Sequence, residues 1–200
     1  MTSILKADTI QDAAGNNIIN ENANTITIGA SGDTITIPSG ATISNSGTAT
    51  GFGESNTPAF MAKPDGNITI SDDTTTKLLF ATEDFDTDSD YASSRFTPTT
   101  AGKYQVSGAV QWNTDTNYNA LLQGRLFVYK NGGQIFRNDV DPRVGSGQVP
   151  ISLFNYINVA VDMNGSSDYL ELYGYVDIQN SGIANFWQTN SYFTAFRITT

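Results

Sequence analysis

The densest group of potential metal ligands is an acidic stretch at residues 83–91, E-D-F-D-T-D-S-D-Y. Alternating carboxylates can wrap oxygen ligands around Ca²⁺. The pattern of an EF-hand loop fails, because Ser89 stands at the sixth position, where glycine is needed, and Arg95 at the twelfth, where a bidentate glutamate belongs. We therefore predict a solvated acidic turn and no cofactor, with weak Ca²⁺ binding as the alternative. The candidate ligands are Asp84, Asp86, Asp88 and Asp90.

The residues that most enzymes use for catalysis are missing. Neither histidine nor cysteine occurs among the 200 residues, so the commonest general base, a thiolate nucleophile and cysteine-type zinc sites are excluded. A glycosidase needs two carboxyl groups about 5 to 9.5 Å apart, and among 20 acidic residues some pair meets that condition by chance. We predict no enzymatic activity and no catalytic residues. The alternative is a carbohydrate-active enzyme, a depolymerase, that uses paired carboxylates.

The charge and hydropathy patterns exclude two further classes of partner. A formal net charge of −10 repels phosphate backbones, so we expect no nucleic-acid binding. No apolar run approaches the roughly 18 residues that a membrane helix needs. The N-terminus also lacks the basic and apolar regions of a signal peptide. We therefore expect no membrane insertion.

The composition changes sharply near residue 52. All 11 phenylalanines, nine tyrosines and two tryptophans fall at Phe52 or later. The preceding region consists of short T-I-T-I units that end in glycine or in Pro-Ser-Gly. Such a repeat has too few isoleucines to enclose a core alone and needs neighbouring chains to bury them. We interpret residues 1–56 as a short β-stalk formed by several chains, and the alternative is a disordered linker.

Residues 57–200 alternate apolar and polar positions between turn clusters, which indicates an all-β sandwich or jelly roll. Several strands also carry aromatic residues on the side that their parity turns away from the core. We interpret these aromatics as a subunit interface, and the alternative is a thick core or scattered surface aromatics. They are Phe127, Tyr129, Phe154, Tyr156, Tyr173 and Tyr175.

Two segments, residues 112–119 and 180–190, mix asparagine, glutamine and threonine with aromatic residues. These side chains can hydrogen-bond the hydroxyls of a sugar and cover its apolar face. The recognition candidates are Tyr118, Phe186 and Trp187. The alternative is an ordinary loop in which Phe186 and Trp187 pack inward.

Four segments carry a family resemblance over residues 58–199. They are P-A-F-M-A from residue 58, R-F-T-P-T-T-A-G-K-Y-Q-V-S-G from 95, D-Y-L-E-L-Y-G-Y-V from 168 and S-Y-F-T-A-F-R-I from 191. Their order resembles the globular heads of complement-like proteins in the tumour-necrosis-factor superfamily. The resemblance implies a ten-stranded jelly roll that forms homotrimers on a trimeric stalk. It also implies that Tyr173 and Tyr192 or Phe193 pack near the threefold axis.

The N-terminal region resembles a different group of proteins. S-I-L-K-A-D-T-I-Q-D-A-A-G-N, followed by the T-I-T-I repeats, is similar to fibre and appendage proteins of marine tailed bacteriophages. This resemblance implies a tail fibre, spike or capsid fibre on the virion surface. The N-terminal segment would attach to other virion proteins, and the homotrimeric head would adhere to the host surface, with glycan as a partner. The alternative is a secreted lectin-like or signalling head.

Overall fold

The computed structural model describes residues 9–15, 17–23, 25–29, 31–47, 56–114, 121–143, 150–179 and 183–199. The chain divides into two compact units, Met1–Phe52 and Gly53–Thr200, which we call the N-terminal and C-terminal units. Within the described ranges, no helix is long and apolar enough to cross a membrane.

The N-terminal unit is a small antiparallel sheet followed by extended chain. Its strands, in sheet order, are β1 (Thr9–Gln11), β2 (Asn17–Asn22) and β3 (Thr25–Ile28). The T-I-T-I unit at β3 forms a strand because β-branched residues favour extended backbone. Ile26 is 68% exposed, and no isoleucine among the described residues of this unit is buried. This exposure is what the predicted stalk requires, and its assembly from several chains stays a prediction.

The C-terminal unit is built from antiparallel strands. In chain order they are β4 (Ala59–Lys63), β5 (Ile68–Ser71), β6 (Thr76–Lys77), β7 (Thr82–Asp86), β8 (Tyr91–Ala92), β9 (Arg95–Phe96), β10 (Ala101–Thr114), β11 (Leu121–Lys130), β12 (Gly133–Val140), β13 (Ser152–Asn164), β14 (Leu170–Ile178), β15 (Ile183–Phe186) and β16 (Tyr192–Thr199). A 3-10 turn, Gln188–Asn190, precedes β16. The all-β prediction is confirmed, although β6, β8 and β9 are only two residues long.

These strands form two sheets that face each other across one core. The β10 sheet has the order β5-β15-β10-β16-β4-β7, with β13 on the other side of β10. The β14 sheet has the order β12-β11-β14-β9-β8, with β6 also beside β14. The chain enters the unit beside the end of β16, where the Arg197 amide donates to the Pro58 carbonyl (3.2 Å). Thr114, Ser152 and Ala184 meet at the opposite end, which we call the loop end.

Trp112 fixes the spacing of the two sheets. It is fully buried, and its Nε1 donates to Oδ1 of the fully buried Asn155 (2.7 Å). Asn155 in turn donates to the Gly124 carbonyl on β11 (3.1 Å). A Cβ on Gly124 would lie 2.9 Å from Trp112 Cδ1, and one on Gly174 would lie 2.3 Å from Trp112 Cη2. The indole therefore fits only because the facing strands carry glycine.

Aromatic rings fill the remainder of the core. Phe60 stacks on Tyr91 at 4.3 Å between ring centroids and meets the edge of Phe193 at 4.8 Å. Phe193 is fully buried, so its prediction as an interface residue is wrong. Phe193 pairs with Gly108 on β10 and therefore shares the face that points to the core.

Phe186 is also a core residue, and its prediction as a recognition residue is wrong. It is fully buried, with its ring 5.6 Å from that of Phe80 and 6.3 Å from that of Trp112. The reason is that residues 183–186 form strand β15, which pairs with β10 and places Phe186 opposite Trp112.

Substitution of Gly174 by alanine tests the packing of Trp112. The new methyl group must displace the indole, so Gly174→Ala should lower the free energy of unfolding by about 1–3 kcal/mol. Chemical denaturation measures the change. Gly66→Ala is the matched control, because no atom lies within 4 Å of the added Cβ. Equal stability of Gly174→Ala and the parent protein would contradict this packing.

Candidate subunit interface

The β10 sheet has a second face, which points away from the β14 sheet and which we call the outer face. Along β10, the residues at 104, 106, 110 and 112 point to the core, and those at 105, 107, 109 and 111 point to the outer face. Strand pairing places Tyr156 of β13 and Tyr192 of β16 on either side of Ala109. It places Phe196 beside Gln105. Large side chains therefore stand in rows across this face.

Much of the outer face is apolar and exposed. Tyr156 is 58% exposed and Phe196 is 42% exposed. The rings of Phe154 and Tyr156 are nearly parallel, at 4° and 6.0 Å between centroids. A groove of about 410 Å³ runs along the face, and its lining residues are Met61, Lys63, Ala109, Phe154, Tyr156, Thr189, Asn190, Ser191 and Tyr192. Tyr156, Phe154 and the groove form one exposed apolar patch, and a polar row of Ser107, Asn158 and Thr194 separates it from Phe196. An exposed apolar patch marks an interaction site.

The other predicted interface residues lie on the β14 sheet, on the side turned away from the core. Tyr129 packs on Tyr173 at 4.2 Å between ring centroids. The Tyr175 hydroxyl donates to Asp73 (2.6 Å), and the Arg125 guanidinium lies 4.5 Å above the Tyr175 ring. These contacts come from the same chain, so this face is already partly covered.

Phe127 lies on the predicted side of its strand but is not exposed. Its side chain points away from the sandwich core, as predicted, but it is only 4% exposed. Its strand neighbours are Tyr173 on β14 and Arg137 on β12, and its ring lies 6.2 Å from that of Tyr129. Phe127 is therefore buried within its own chain and presents almost no surface to a partner.

The eight predicted interface residues thus do not form one surface. The outer face contains Phe154, Tyr156 and Tyr192, while Tyr129, Tyr173 and Tyr175 occupy the opposite side of the sandwich. Sequence reasoning missed Phe85 and Phe196, which are exposed on the β10 sheet. The sequence does contain a signal for Phe196. Phe193 and Phe196 are three residues apart, so their side chains point to opposite faces of one strand.

A buried carboxylate joins three strands of the β14 sheet. Glu171 Oε1 accepts hydrogen bonds from Lys77 Nζ (2.7 Å) and Arg95 Nε (2.9 Å). The Arg95 guanidinium also lies 3.9 Å above the Tyr169 ring. Burial would raise the pKa of Glu171, but the hydrogen bonds from Lys77 and Arg95 outweigh it and hold that pKa below its usual value. The ion pair therefore stabilises the short strands β6 and β9 against β14.

The carboxylates of the acidic stretch at residues 83–91 bind backbone amides and a lysine of the same chain. Asp86 accepts from the amide of Tyr91 (2.9 Å), Asp90 accepts from the amide of Thr99 (2.8 Å), and Asp84 pairs with Lys63 (2.5 Å). In the described part of the chain, Asp84, Asp86, Asp88 and Asp90 do not converge as a group of metal ligands.

Three other carboxylates do approach one another, those of Asp72, Asp73 and Asp177. Asp72 accepts from the amide of Ile178 (2.7 Å), and Asp73 accepts from the Tyr175 hydroxyl. Burial, followed by the charge of Asp73, raises the pKa of Asp177. These bonds to the protein explain why the carboxylates lie close together.

Trp187, another recognition candidate, lies near the loop end. Trp187 is 40% exposed, and its amide donates to the Gln111 carbonyl (2.9 Å). Tyr118 lies outside the described residues. Of the three predicted recognition residues, Trp187 alone is placed by the described structure on the surface.

Comparisons with known proteins identify the fold. No protein-family model matches the chain, and no characterised protein matches its sequence. Crystal structures of murine APRIL at pH 5.0 and pH 8.5 each align with a TM-score of 0.50, at 10% and 11% identity, and cover 70% of this chain and 98% of that chain. The Eiger TNF structure from S. frugiperda aligns with a TM-score of 0.48 at 8% identity, over 70% and 90% of the chains. The predicted jelly roll of the tumour-necrosis-factor type is confirmed as a fold.

The Glu171 ion pair predicts a pH dependence of stability. Because the folded-state pKa is depressed, its contribution is present above the unfolded value of about 4.3 and is lost as the pH falls through the folded value. Glu171→Gln should lower the free energy of unfolding by about 1–2 kcal/mol at neutral pH. The difference from the parent protein should shrink in acid.

Denaturation at a series of pH values measures this effect. Glu83→Gln is the control, because Glu83 is exposed. An unchanged difference between Glu171→Gln and the parent protein from neutral pH to pH values below the folded pKa would show that the ion pair does not contribute as described.

Proposed function

We propose that this protein is a non-catalytic, homotrimeric appendage protein and that its C-terminal unit is the trimeric head. The observation that carries the proposal is the outer face of the β10 sheet, where Tyr156, Phe196 and the groove beside Ala109 are exposed in the single chain. Burial of apolar surface is the dominant favourable term in most protein–protein association. A second copy of the chain is the partner that we assign to this face.

A threefold assembly joins two different surfaces of each subunit, because its contacts are head-to-tail. We assign the second surface to strand β12. This strand pairs only with β11 among the described strands, and its Ile135 and Phe136 are each 39% exposed. An exposed edge strand with apolar residues is a surface that proteins normally cover. The outer face and the β12 edge thus supply the two halves of a closed ring.

Two features support a non-catalytic role. The chain contains no histidine and no cysteine. In the acidic stretch, Asp86 and Asp90 are engaged with backbone amides, and Asp84 with Lys63. These carboxylates hold a turn in place. The test is incubation of host-surface polysaccharide with the protein, and release of shortened sugars would contradict the proposal.

We further propose that the protein is displayed on a virus particle and that its head adheres to the host surface. The support is the resemblance of the N-terminal region to fibre and appendage proteins, together with its exposed isoleucines, such as Ile26 and Ile35. These isoleucines would be buried by the neighbouring chains of a stalk. Imaging of whole particles with a labelled antibody to the C-terminal unit should show the label at appendages, and unlabelled particles would contradict the proposed location.

A matched pair of substitutions tests the assigned interface. Light scattering on the parent protein should give three times the 21.5 kDa mass of one chain. Tyr156→Lys places a charge on each copy of the outer face without a partner and should dissociate the trimer. Leu79→Lys is the matched control, because Leu79 is 48% exposed and its neighbour Leu78 donates to the Leu172 carbonyl of β14, which β11 separates from β12. This variant should leave the trimer mass unchanged.

Two results would contradict the assignment. A monodisperse parent monomer at micromolar concentration would exclude the trimer. A Tyr156→Lys variant that keeps the trimer mass would show that the outer face is not the interface.

A further inference from the structure

We propose that the loop end holds a binding site for neutral saccharides, built around the indole of Trp187 and the side-chain amides of Asn67 and Asn190. The proposal rests on the adhesive role given above and names the site and the class of ligand. It concerns the residues near Thr114, Ser152 and Ala184, where the strands of the β10 sheet end.

The Trp187 indole is held in place although it is exposed. Its backbone amide donates to the Gln111 carbonyl (2.9 Å). Its Nε1 donates to the side-chain oxygen of Asn113 (3.0 Å), in the amide orientation in which the Asn113 nitrogen donates to Ser152 Oγ (2.8 Å). The side chain of Trp187 nevertheless remains 40% exposed. A fixed aromatic ring gives a ligand contact area without the entropic cost of ordering it.

The neighbouring amides are also fixed, and each keeps one free end. Asn190 Nδ2 donates to Gln111 Oε1 (2.5 Å), and Asn67 Oδ1 accepts from the Gln188 amide (3.1 Å). Asn190 Oδ1 and Asn67 Nδ2 have no partner among the described residues. Asn190 follows Trp187 by three residues, and Asn67 binds the amide of the residue directly after Trp187, so one acceptor and one donor belong to the same region of the chain as the indole. A sugar hydroxyl can both donate and accept, so this set of groups fits a saccharide.

The charges of the chain favour an uncharged ligand at this site. Residues 111–114, 150–152 and 183–191 contain no charged side chain. The whole chain carries a formal net charge of −10, which repels acidic polysaccharides. Lys63, which lines the same groove as Asn190, is paired with Asp84 (2.5 Å), so its charge is already balanced within the chain. The ligand class that fits these groups is an uncharged saccharide.

The site adjoins the proposed interface and is separate from most of it. Asn113 is four residues beyond Ala109 on β10, which corresponds to about 13 Å along a strand. Asn190 lines the outer-face groove and binds Gln111, so the site shares this residue with the proposed interface. In a trimer the three copies of the site would act together, and avidity would strengthen weak single contacts.

The two tryptophans of the chain allow a direct binding assay on the full-length protein. Trp112 is fully buried and Trp187 is exposed, so the emission that acrylamide can quench comes from Trp187. The probes are maltohexaose, cellohexaose and mannohexaose, with an oligogalacturonate as the acidic comparison. We expect at least one neutral hexaose to protect Trp187 from quenching and the oligogalacturonate to give no protection.

Substitutions connect the signal to the site. Asn190→Ala and Asn67→Ala should each weaken the protection by the neutral hexaose several-fold, because each removes one hydrogen-bonding group. Asn45→Ala is the control, an exposed asparagine of the N-terminal unit. The proposal is overturned if no neutral hexaose protects Trp187, if the oligogalacturonate protects it equally, or if both amide variants behave like the control.

Light scattering on the same samples separates this proposal from the trimer. A trimer that does not bind any neutral hexaose would refute the saccharide site and leave the assembly standing. A monomer that binds one through Asn190 would refute the trimer and leave the site standing.

Discussion

A sheet that carries large apolar side chains on both faces must have both faces covered, and the β10 sheet has only one face covered by its own chain. The β14 sheet covers the inner face, where Trp112, Phe60 and Phe193 are fully buried. Tyr156 and Phe196 stand on the outer face and remain exposed. The hydrophobic effect acts on both faces alike. This asymmetry is the basis of the proposed trimer.

The inner face also makes the outer face rigid. Trp112 and Asn155 connect β10 and β13 to β11 through hydrogen bonds of 2.7 and 3.1 Å. Glu171 of β14 accepts hydrogen bonds from Lys77 of β6 and Arg95 of β9 and so connects these three strands. Because β10 is fixed from the inside, the rows of side chains on its other face are already in position. A pre-formed surface loses little conformational entropy on association.

Local sequence patterns were sufficient for the fold class and for part of the outer face. Alternation identified the strands, and it placed Phe154 and Tyr156 on the side away from the core. It could not say to which sheet a strand belongs, so Tyr129 and Tyr173 were grouped with residues on the opposite side of the sandwich. That assignment depends on pairing between strands that are distant in the sequence.

The errors have the same physical origin. Phe186 was assigned to a loop because its pairing with Trp112 spans 74 positions of the chain and leaves no local signal. Phe193 was assigned to the interface from a family resemblance, although its distance from Phe196 already indicated opposite faces. No local pattern indicates the roles of Asn155 and Gly174. Asn155 accepts from the indole of Trp112, and Gly174 makes room for that indole, and both contacts join strands that are distant in the sequence.

Hydroxyl-radical footprinting of the native protein tests the central claim most directly, because it reads the solvent exposure of individual side chains in the assembled state. Tyr156 is 58% exposed in the single chain. If the outer face of the β10 sheet is the trimer interface, oxidation of Tyr156 should be strongly suppressed in the native protein and restored in urea. Oxidation of Tyr156 in the native protein at the rate expected for its exposure in the single chain would contradict the account.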